Sequence, residues 1–127
     1  MDANQALTEL AELSSQVERA VVLDATGSVL AATGDEGDAL AQFALELLAA
    51  AGELHPSAGD VTRAEVELAE GGLFVLREGD RTIAALTGPN PTSGLVAYDL
   101  RTCLQGIDEE KPKRRRTTRK PKEDAEG

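Results

Sequence analysis

The stretch from residue 64 to residue 104 constrains the fold of this chain most strongly. Residues 64–68 alternate between apolar side chains and glutamates, which is typical of a strand with one buried face. Residues 73–76 and 81–87 have the apolar character of central strands, and the turns between the three segments are short, acidic and rich in glycine. The stretch therefore predicts three consecutive strands, then a proline break and one amphipathic helix.

The N-terminal part predicts a helix and a hairpin. Apolar residues recur at helical spacing from about Asn4 to Glu18. These residues are Leu7, Leu10, Leu13 and Val17. Two short apolar segments, 20–24 and 28–33, then flank a turn at residues 24–27, where Gly27 is free to adopt a positive φ. We therefore expect an amphipathic helix followed by a tight β-hairpin.

A second helix is predicted from residue 38 to residue 51. Acidic residues between positions 35 and 38 lie at its start, where the positive end of the helix dipole favours negative charge. The predicted core face consists of Leu40, Phe43, Ala44, Leu47, Leu48 and Ala51. Ala41 and Leu45 lie outside that face, so the apolar sector is wider than one packing surface needs.

The last helix follows the segment Pro89-Asn90-Pro91, in which Asn90 and Pro91 form a suitable N-cap and first helical residue. Its predicted inner stripe is Val96, Leu100, Cys103 and Ile107. Beyond Ile107 the apolar residues stop. We therefore predict one domain over residues 1–108 and a disordered tail over residues 109–127, basic at first and then acidic.

The charge of the chain is divided sharply between body and tail. Residues 1–110 carry 20 acidic residues and five arginines, whereas residues 111–127 carry eight basic residues and three acidic ones. An acidic body repels nucleic acid and anionic lipid and suits a partner with a basic patch. A single cysteine indicates a reducing compartment, and the sequence has neither a signal peptide nor an apolar segment long enough to span a membrane. We therefore expect a cytoplasmic protein.

The predicted order helix–strand–strand–helix–strand–strand–strand–helix resembles that of the roadblock / dynein light chain family. The resemblance covers about residues 5–107. Its residues, in the order and spacing of the family, are Val-Val-Leu-Asp-Ala-Thr-Gly-Ser-Val-Leu-Ala (21–31), Val-Glu-Leu-Ala-Glu-Gly-Gly-Leu-Phe-Val-Leu-Arg-Glu-Gly (66–79) and Gly-Leu-Val-Ala-Tyr-Asp-Leu-Arg (94–101).

This resemblance implies an α+β fold, an α/β sandwich of the profilin-like roadblock type. A single five-stranded antiparallel sheet would carry helices on both faces, in the order α-β-β-α-β-β-β-α. Family members form homodimers or heterodimers with related roadblock proteins and often serve as partners, scaffolds or regulators of Ras-like small GTPases. The basic tail is not part of the family pattern.

The residues offer little support for catalysis. His55, the only imidazole, has no cysteine nearby and is interpreted as a solvated loop residue. Cys103 lies on an apolar stripe and is interpreted as a small core residue, and the acids at positions 35–38 lack the spacing of a calcium loop. Gly71-Gly72 and Gly79 are assigned to turns between strands, so no phosphate-binding loop is predicted. We expect no enzymatic activity, no cofactor and no metal site.

The segment from Arg63 to Leu68 lies, by the resemblance, at an edge of the sheet, and an open edge tends to pair with another strand. In a two-fold antiparallel pairing centred on Ala64, Arg63 would face Glu65 of the second copy. A pairing centred on Glu65 would place it opposite Glu67 instead. The predicted homodimer interface comprises Arg63, Glu65, Val66 and Glu67 of the strand and Ala41, Leu45 and Leu48 of the second helix.

The favoured function is a dimeric adaptor that binds a small GTPase, and two alternatives stay open. A small-molecule sensor module is one, although the few aromatic residues argue against a specific pocket. The other is a tether to nucleic acid or lipid through the tail. The tail could instead be simply solvated, or it could fold back on the acidic body. The tail residues predicted to contact a polyanion are Lys113, Arg114, Arg115, Arg116, Arg119 and Lys120.

Overall fold

The structure, a computed structural model, describes residues 1–107 of the chain. Three helices, five strands and one short 3-10 turn (Pro56–Ala58) follow each other along these residues. The helices are α1 (Ala3–Leu13), α2 (Gly37–Gly52) and α3 (Ser93–Gln105). The strands are β1 (Val17–Leu23), β2 (Val29–Ala32), β3 (Arg63–Leu68), β4 (Gly71–Glu78) and β5 (Arg81–Thr87).

The five strands form one antiparallel sheet in the spatial order β2-β1-β5-β4-β3. This confirms the predicted fold class and the predicted order of elements. It also confirms the hairpin between β1 and β2, where Gly27 adopts a φ of 89° and the N–H of Asp24 donates to the carbonyl oxygen of Ser28 at 2.9 Å. The two edge strands of the sheet are therefore β2 and β3.

The sheet separates two apolar layers. On one face, α1 and α3 pack together against side chains such as Val22, Phe74 and Ile83. On the other face, α2 packs alone against side chains such as Val21 and Val75. Within residues 1–107, no helix is long and apolar enough to cross a membrane.

The first helix is shorter than the sequence predicts. It ends at Leu13, and Val17 is the first residue of β1, opposite Thr87 of β5. Ser14, whose backbone is extended, closes the helix by donating its N–H to the carbonyl oxygen of Leu10 at 2.9 Å. Val17 therefore belongs to a strand, although its distance in sequence from Leu13 also fits a helix. Leu13 itself is 78% exposed instead of buried.

The start of the last helix also differs from the prediction. Asn90 has a φ of 57°, whereas an N-cap residue takes an extended backbone, so Asn90 cannot serve as the cap. The helix begins two residues after Pro91, with Thr92 as its cap. The N–H of Thr92 donates to the side-chain oxygen of Gln16 at 2.6 Å, which ties the start of α3 to the loop that precedes β1.

Candidate functional site

The outer edge of β3 is the first part of the candidate interaction surface. The strand hydrogen-bonds to β4 on one side and forms the edge of the sheet on the other, as predicted. The N–H of Arg77 donates to the carbonyl oxygen of Thr62 at 2.9 Å. This bond shows that the backbone groups of Thr62, and of every second residue after it, face β4. Because paired positions alternate in an antiparallel ladder, the backbone groups of Arg63, Glu65 and Glu67 point away from β4. These groups are available to a further strand.

The side chains of β3 divide between the two faces of the sheet. Ala64 and Val66 pack partly against the apolar layer beneath α2. Arg63, Glu65 and Glu67 are exposed on the other face. Here Nη2 of Arg63 lies 3.4 Å from Oε2 of Glu65. This ion pair is exposed and weak, so Arg63 can exchange its partner for a carboxylate of another molecule at little cost.

A cleft of about 270 Å³ lies on the same face, beside this edge. Its acidic wall consists of Glu65 and Glu67, and its apolar side includes Phe74 and Pro91. A carboxylate wall beside an apolar surface suits a lysine or arginine, whose stem packs on apolar groups while its head meets the acids. The cleft therefore favours basic side chains presented at the edge of β3.

Two of the three predicted α2 residues face the core of their own chain. Ala41 and Leu48 are buried against the sheet, so the sequence-based placement of Ala41 outside the core face is wrong. The side chain of Leu45 packs beside Gly27, in the turn between β1 and β2, and together with Leu48 it also lines a cavity that includes Val61, just before β3. The role of these three residues in a dimer stays a prediction, and the structure offers other α2 residues for it.

Phe43 departs most clearly from its predicted position. The sequence places it on the core face, yet 59% of its surface is exposed, and Leu54 just beyond α2 is 86% exposed. The neighbouring Leu40 and Leu47 are half-buried and pack in the same layer as Val66 of β3. The outer flank of α2 is therefore apolar.

A signal for this arrangement is present in the sequence. Ala41, Ala44 and Leu48 follow helical spacing as closely as the predicted core face does, and the two alanines let the helix backbone approach the sheet. With those residues facing the core, helical geometry places Phe43 on the opposite side of α2. Phe43 therefore extends the apolar flank of α2 into solvent.

The residues considered for catalysis lie in different environments. His55 is exposed, and its Nδ1 lies 3.4 Å from the hydroxyl of Ser57. Burial, with a smaller contribution from the charge of Glu9, raises the pKa of the Cys103 thiol to about 11, which is the reverse of what a nucleophilic thiolate needs. Glu36 pairs with Arg19 at 2.6 Å. No group of three or more potential metal ligands occurs among residues 1–107.

The basic tail residues, from Lys113 to Lys120, lie outside the described residues. The predicted polyanion contact therefore stays a prediction. The predicted domain boundary at residue 108 lies outside them as well.

Known proteins share this architecture. The Roadblock/LC7 domain family matches residues 3–87. A crystal structure of a Roadblock/LC7 domain from Streptomyces avermitilis is 25% identical, has a TM-score of 0.71, and covers 83% of this chain and 93% of its own. The gliding protein MglB from Thermus thermophilus is 20% identical, with a TM-score of 0.67 over 80% of this chain and 82% of its own.

A further structure, described as MglB with a tetrameric arrangement, is 18% identical and has a TM-score of 0.70 over 83% of this chain and 84% of its own. No curated protein matches the chain. The MglB likenesses concern the fold alone, whereas the family match spans α1, α2 and all five strands. Since that match covers most of the chain and agrees with the sheet order observed, the chain belongs to the Roadblock/LC7 domain family.

Proposed function

We propose that this chain is a non-enzymatic adaptor that forms a homodimer through the edge of β3 and binds a Ras-like small GTPase. The observation that carries the proposal is the open edge of β3 on the same domain as the exposed apolar flank of α2. Exposed strand edges and apolar patches are features that monomeric proteins normally avoid. A second copy would cover both features at once.

The charges of β3 select among the ways in which two copies can pair. Arg63 of one copy lies opposite Glu65 of the second copy in a pairing centred on Ala64. In a pairing centred on Glu65 it lies opposite Glu67, at the cost of one Glu65–Glu65 contact. A pairing centred on Val66 places Glu65 against Glu67 twice, which like-charge repulsion disfavours. Arg63 is the only basic residue of β3, so these pairings rely on it.

Sedimentation of the full chain tests the dimer. Arg63→Glu should weaken the dimer several-fold, mainly because it adds like charges to the seam, since an exposed ion pair contributes about 0–1 kcal/mol. Glu65→Pro should disrupt it more, because proline removes an N–H that points away from β4. Arg101→Glu is the matched control, since this arginine lies on α3 and is similarly exposed. A monomer at high concentration, or a dimer unaffected by both β3 changes, contradicts the model.

GTPase binding requires a separate experiment. A Ras-like small GTPase of the same cell, loaded with GDP or with a non-hydrolysable GTP analogue, is passed over the immobilised full chain. We expect binding that prefers one nucleotide state, with an association rate that falls as salt rises, because residues 1–107 carry 17 acidic residues against five arginines. Absence of binding in both nucleotide states would contradict the proposed GTPase binding, and it would not bear on the proposed dimer.

A further inference from the structure

A groove of about 140 Å³ runs between α1 and α3, on the opposite face of the sheet from α2. Its lining includes the apolar residues Ala6 and Leu10 of α1 and Cys103 of α3. At one end, the N-terminal amine of Met1 lies 3.3 Å from the carbonyl oxygen of Gly106, and this contact joins the two helices. The groove is therefore an apolar channel between two helices.

Large apolar side chains next to this channel are left in solvent. Leu13 lines the groove and is 78% exposed. Leu95 is 50% exposed and precedes Asp99 of the lining by four residues, so both lie on one stripe of α3. These exposed leucines beside one apolar channel form a patch of the kind that marks a binding surface.

Apart from Thr102 and the N-terminal amine of Met1 at one end, the polar groups around this patch are acidic. Glu9 and Asp99 line the groove, and Glu12 is exposed on the next turn of α1. Helix α1 contains no basic residue. The single basic residue of α3, Arg101, lies 3.4 Å from Glu78 of β4 and is thereby drawn toward the sheet. A partner that fills the channel would thus meet a net negative rim, since the amine of Met1 offsets only part of the charge of Glu9, Glu12 and Asp99.

We propose that the groove between α1 and α3 binds an amphipathic helix of a partner protein, with a row of apolar residues flanked by lysine or arginine. The apolar row would cover Leu13 and Leu95 and reach the floor at Leu10, while the basic residues would meet Glu9 and Asp99. Helices commonly bind in this way to grooves, through anchors spaced three and four residues apart. The proposal does not depend on β3 or on the GTPase.

Other occupants fit the groove less well. A second copy would place acidic rim against acidic rim, which costs association energy. An anionic membrane would be repelled for the same reason. The tail of this chain has the right charge, but residues 111–122 contain no large apolar side chain to fill the channel.

The test uses the full chain and a fluorescein-labelled helical peptide of about 14 residues, with leucines at positions i, i+3, i+4 and i+7 and lysines elsewhere. Fluorescence anisotropy should show saturable binding. Leu13→Ser combined with Leu95→Ser should weaken it about tenfold or more, which corresponds to about 1.4 kcal/mol. The control, Val29→Ser, removes an exposed apolar residue of β2 that does not line the groove and should leave binding unchanged.

Two further probes separate the proposal from general charge attraction. A peptide in which glutamate replaces each lysine should bind at least about tenfold more weakly, since its charges would face the acidic rim. Peptide-induced changes in amide NMR shifts should concentrate on residues 6–13 and 95–106. Equal binding by Leu13→Ser/Leu95→Ser and by Val29→Ser, or shifts concentrated elsewhere, would overturn the proposal.

The alternative occupants are tested on the same variants. Assembly beyond a dimer that is lost in Leu13→Ser/Leu95→Ser would show that a second copy covers the groove and would overturn the proposal. Binding of phosphatidylserine vesicles that requires Leu13 and Leu95 would also overturn the proposal, because it would show that the groove binds a membrane. Peptide binding that becomes much tighter once residues 111–127 are deleted would assign the groove to the tail.

Discussion

Gly71 of β4 packs directly against the backbone of Thr87 in β5. A Cβ built on Gly71 would lie 2.8 Å from the carbonyl oxygen of Thr87, a separation that real Cβ atoms essentially never show. The adjacent Gly72 is also close, since its Cβ would lie 2.8 Å from Oγ1 of the same threonine. The sequence-based assignment of both glycines to a turn is wrong, because they are buried strand residues that allow β5 to approach β4.

We therefore expect Gly71→Ala to lower the free energy of unfolding by about 1–3 kcal/mol, the usual cost of inserting a methyl group into a filled space. The backbone oxygen cannot rotate away, so β4 and β5 must separate locally. Urea denaturation followed by circular dichroism measures the change. Gly94→Ala, in α3, is the control: it meets no atom within 4 Å and should be neutral or slightly stabilising. Equal stability of the two variants would contradict this explanation.

The regular parts of the fold are predictable from the sequence because their patterns are long and have one period. Val96, Leu100 and Cys103 repeat at helical spacing, and all are buried in α3. The alternation in β3 likewise identifies a strand with one solvated face. In both elements, the buried positions form one row, so only one orientation satisfies the pattern.

The orientation of α2 could not be predicted in the same way, because apolar residues surround most of the helix. Both the stripe with Phe43 and the stripe with Ala41 satisfy helical spacing. The choice depends on how closely the helix approaches the sheet, which is a property of the packed structure. A Cβ on Gly37, for example, would lie 2.6 Å from the Cβ of Ala32 in β2. Such close contact excludes a side chain at this first residue of α2.

Asp24 leads to the next prediction. Its Oδ1 accepts hydrogen bonds from the N–H of Thr26 at 2.9 Å, the hydroxyl of Thr26 at 2.7 Å and the N–H of Ser28 at 3.0 Å. The Thr26 hydroxyl, and then the Ser28 N–H, lower the pKa of this carboxyl group, since hydrogen bonds favour its ionised form. The carboxylate therefore stabilises the turn between β1 and β2.

Asp24→Ala should cost at most about 1 kcal/mol at neutral pH, because the group is exposed and solvent screens its charge. A lowered pKa means that the native state favours the ionised form, so this stabilisation is present at neutral pH and declines as the carboxylate protonates in acid. The difference between Asp24→Ala and the unchanged chain should shrink on acidification. The exposed Asp60→Ala serves as the control. A difference that grows in acid would contradict the assignment.

Deletion of residues 111–127 tests the predicted independence of the tail. The apolar pattern ends at Ile107, so thermal melts of the full chain and of residues 1–110 should nearly coincide. If the tail contacts nucleic acid or anionic lipid, deletion should remove that binding, and salt should weaken it steeply in the full chain. A large loss of cooperativity on truncation would show instead that the tail docks on the body.

Cys103 gives a prediction with a defined pH window. Its pKa rises from the ordinary value of 9.0 to about 11 on folding, chiefly through burial and secondarily through the charge of Glu9. Because the native state resists ionisation, the stabilisation is complete below the unfolded pKa and is lost as the pH rises toward the native one. Stability should therefore fall between about pH 9 and pH 11 more steeply in the unchanged chain than in Cys103→Ala. Urea midpoints across this range measure both slopes, and comparison with the alanine variant cancels the contribution of the other groups that titrate in both proteins.

Iodoacetamide at about pH 8, below the ordinary pKa of a thiol, should label Cys103 readily in urea and hardly at all in the native chain. Parallel slopes, or rapid native labelling, would show that the thiol is more accessible to water than its place between α1 and α3 implies.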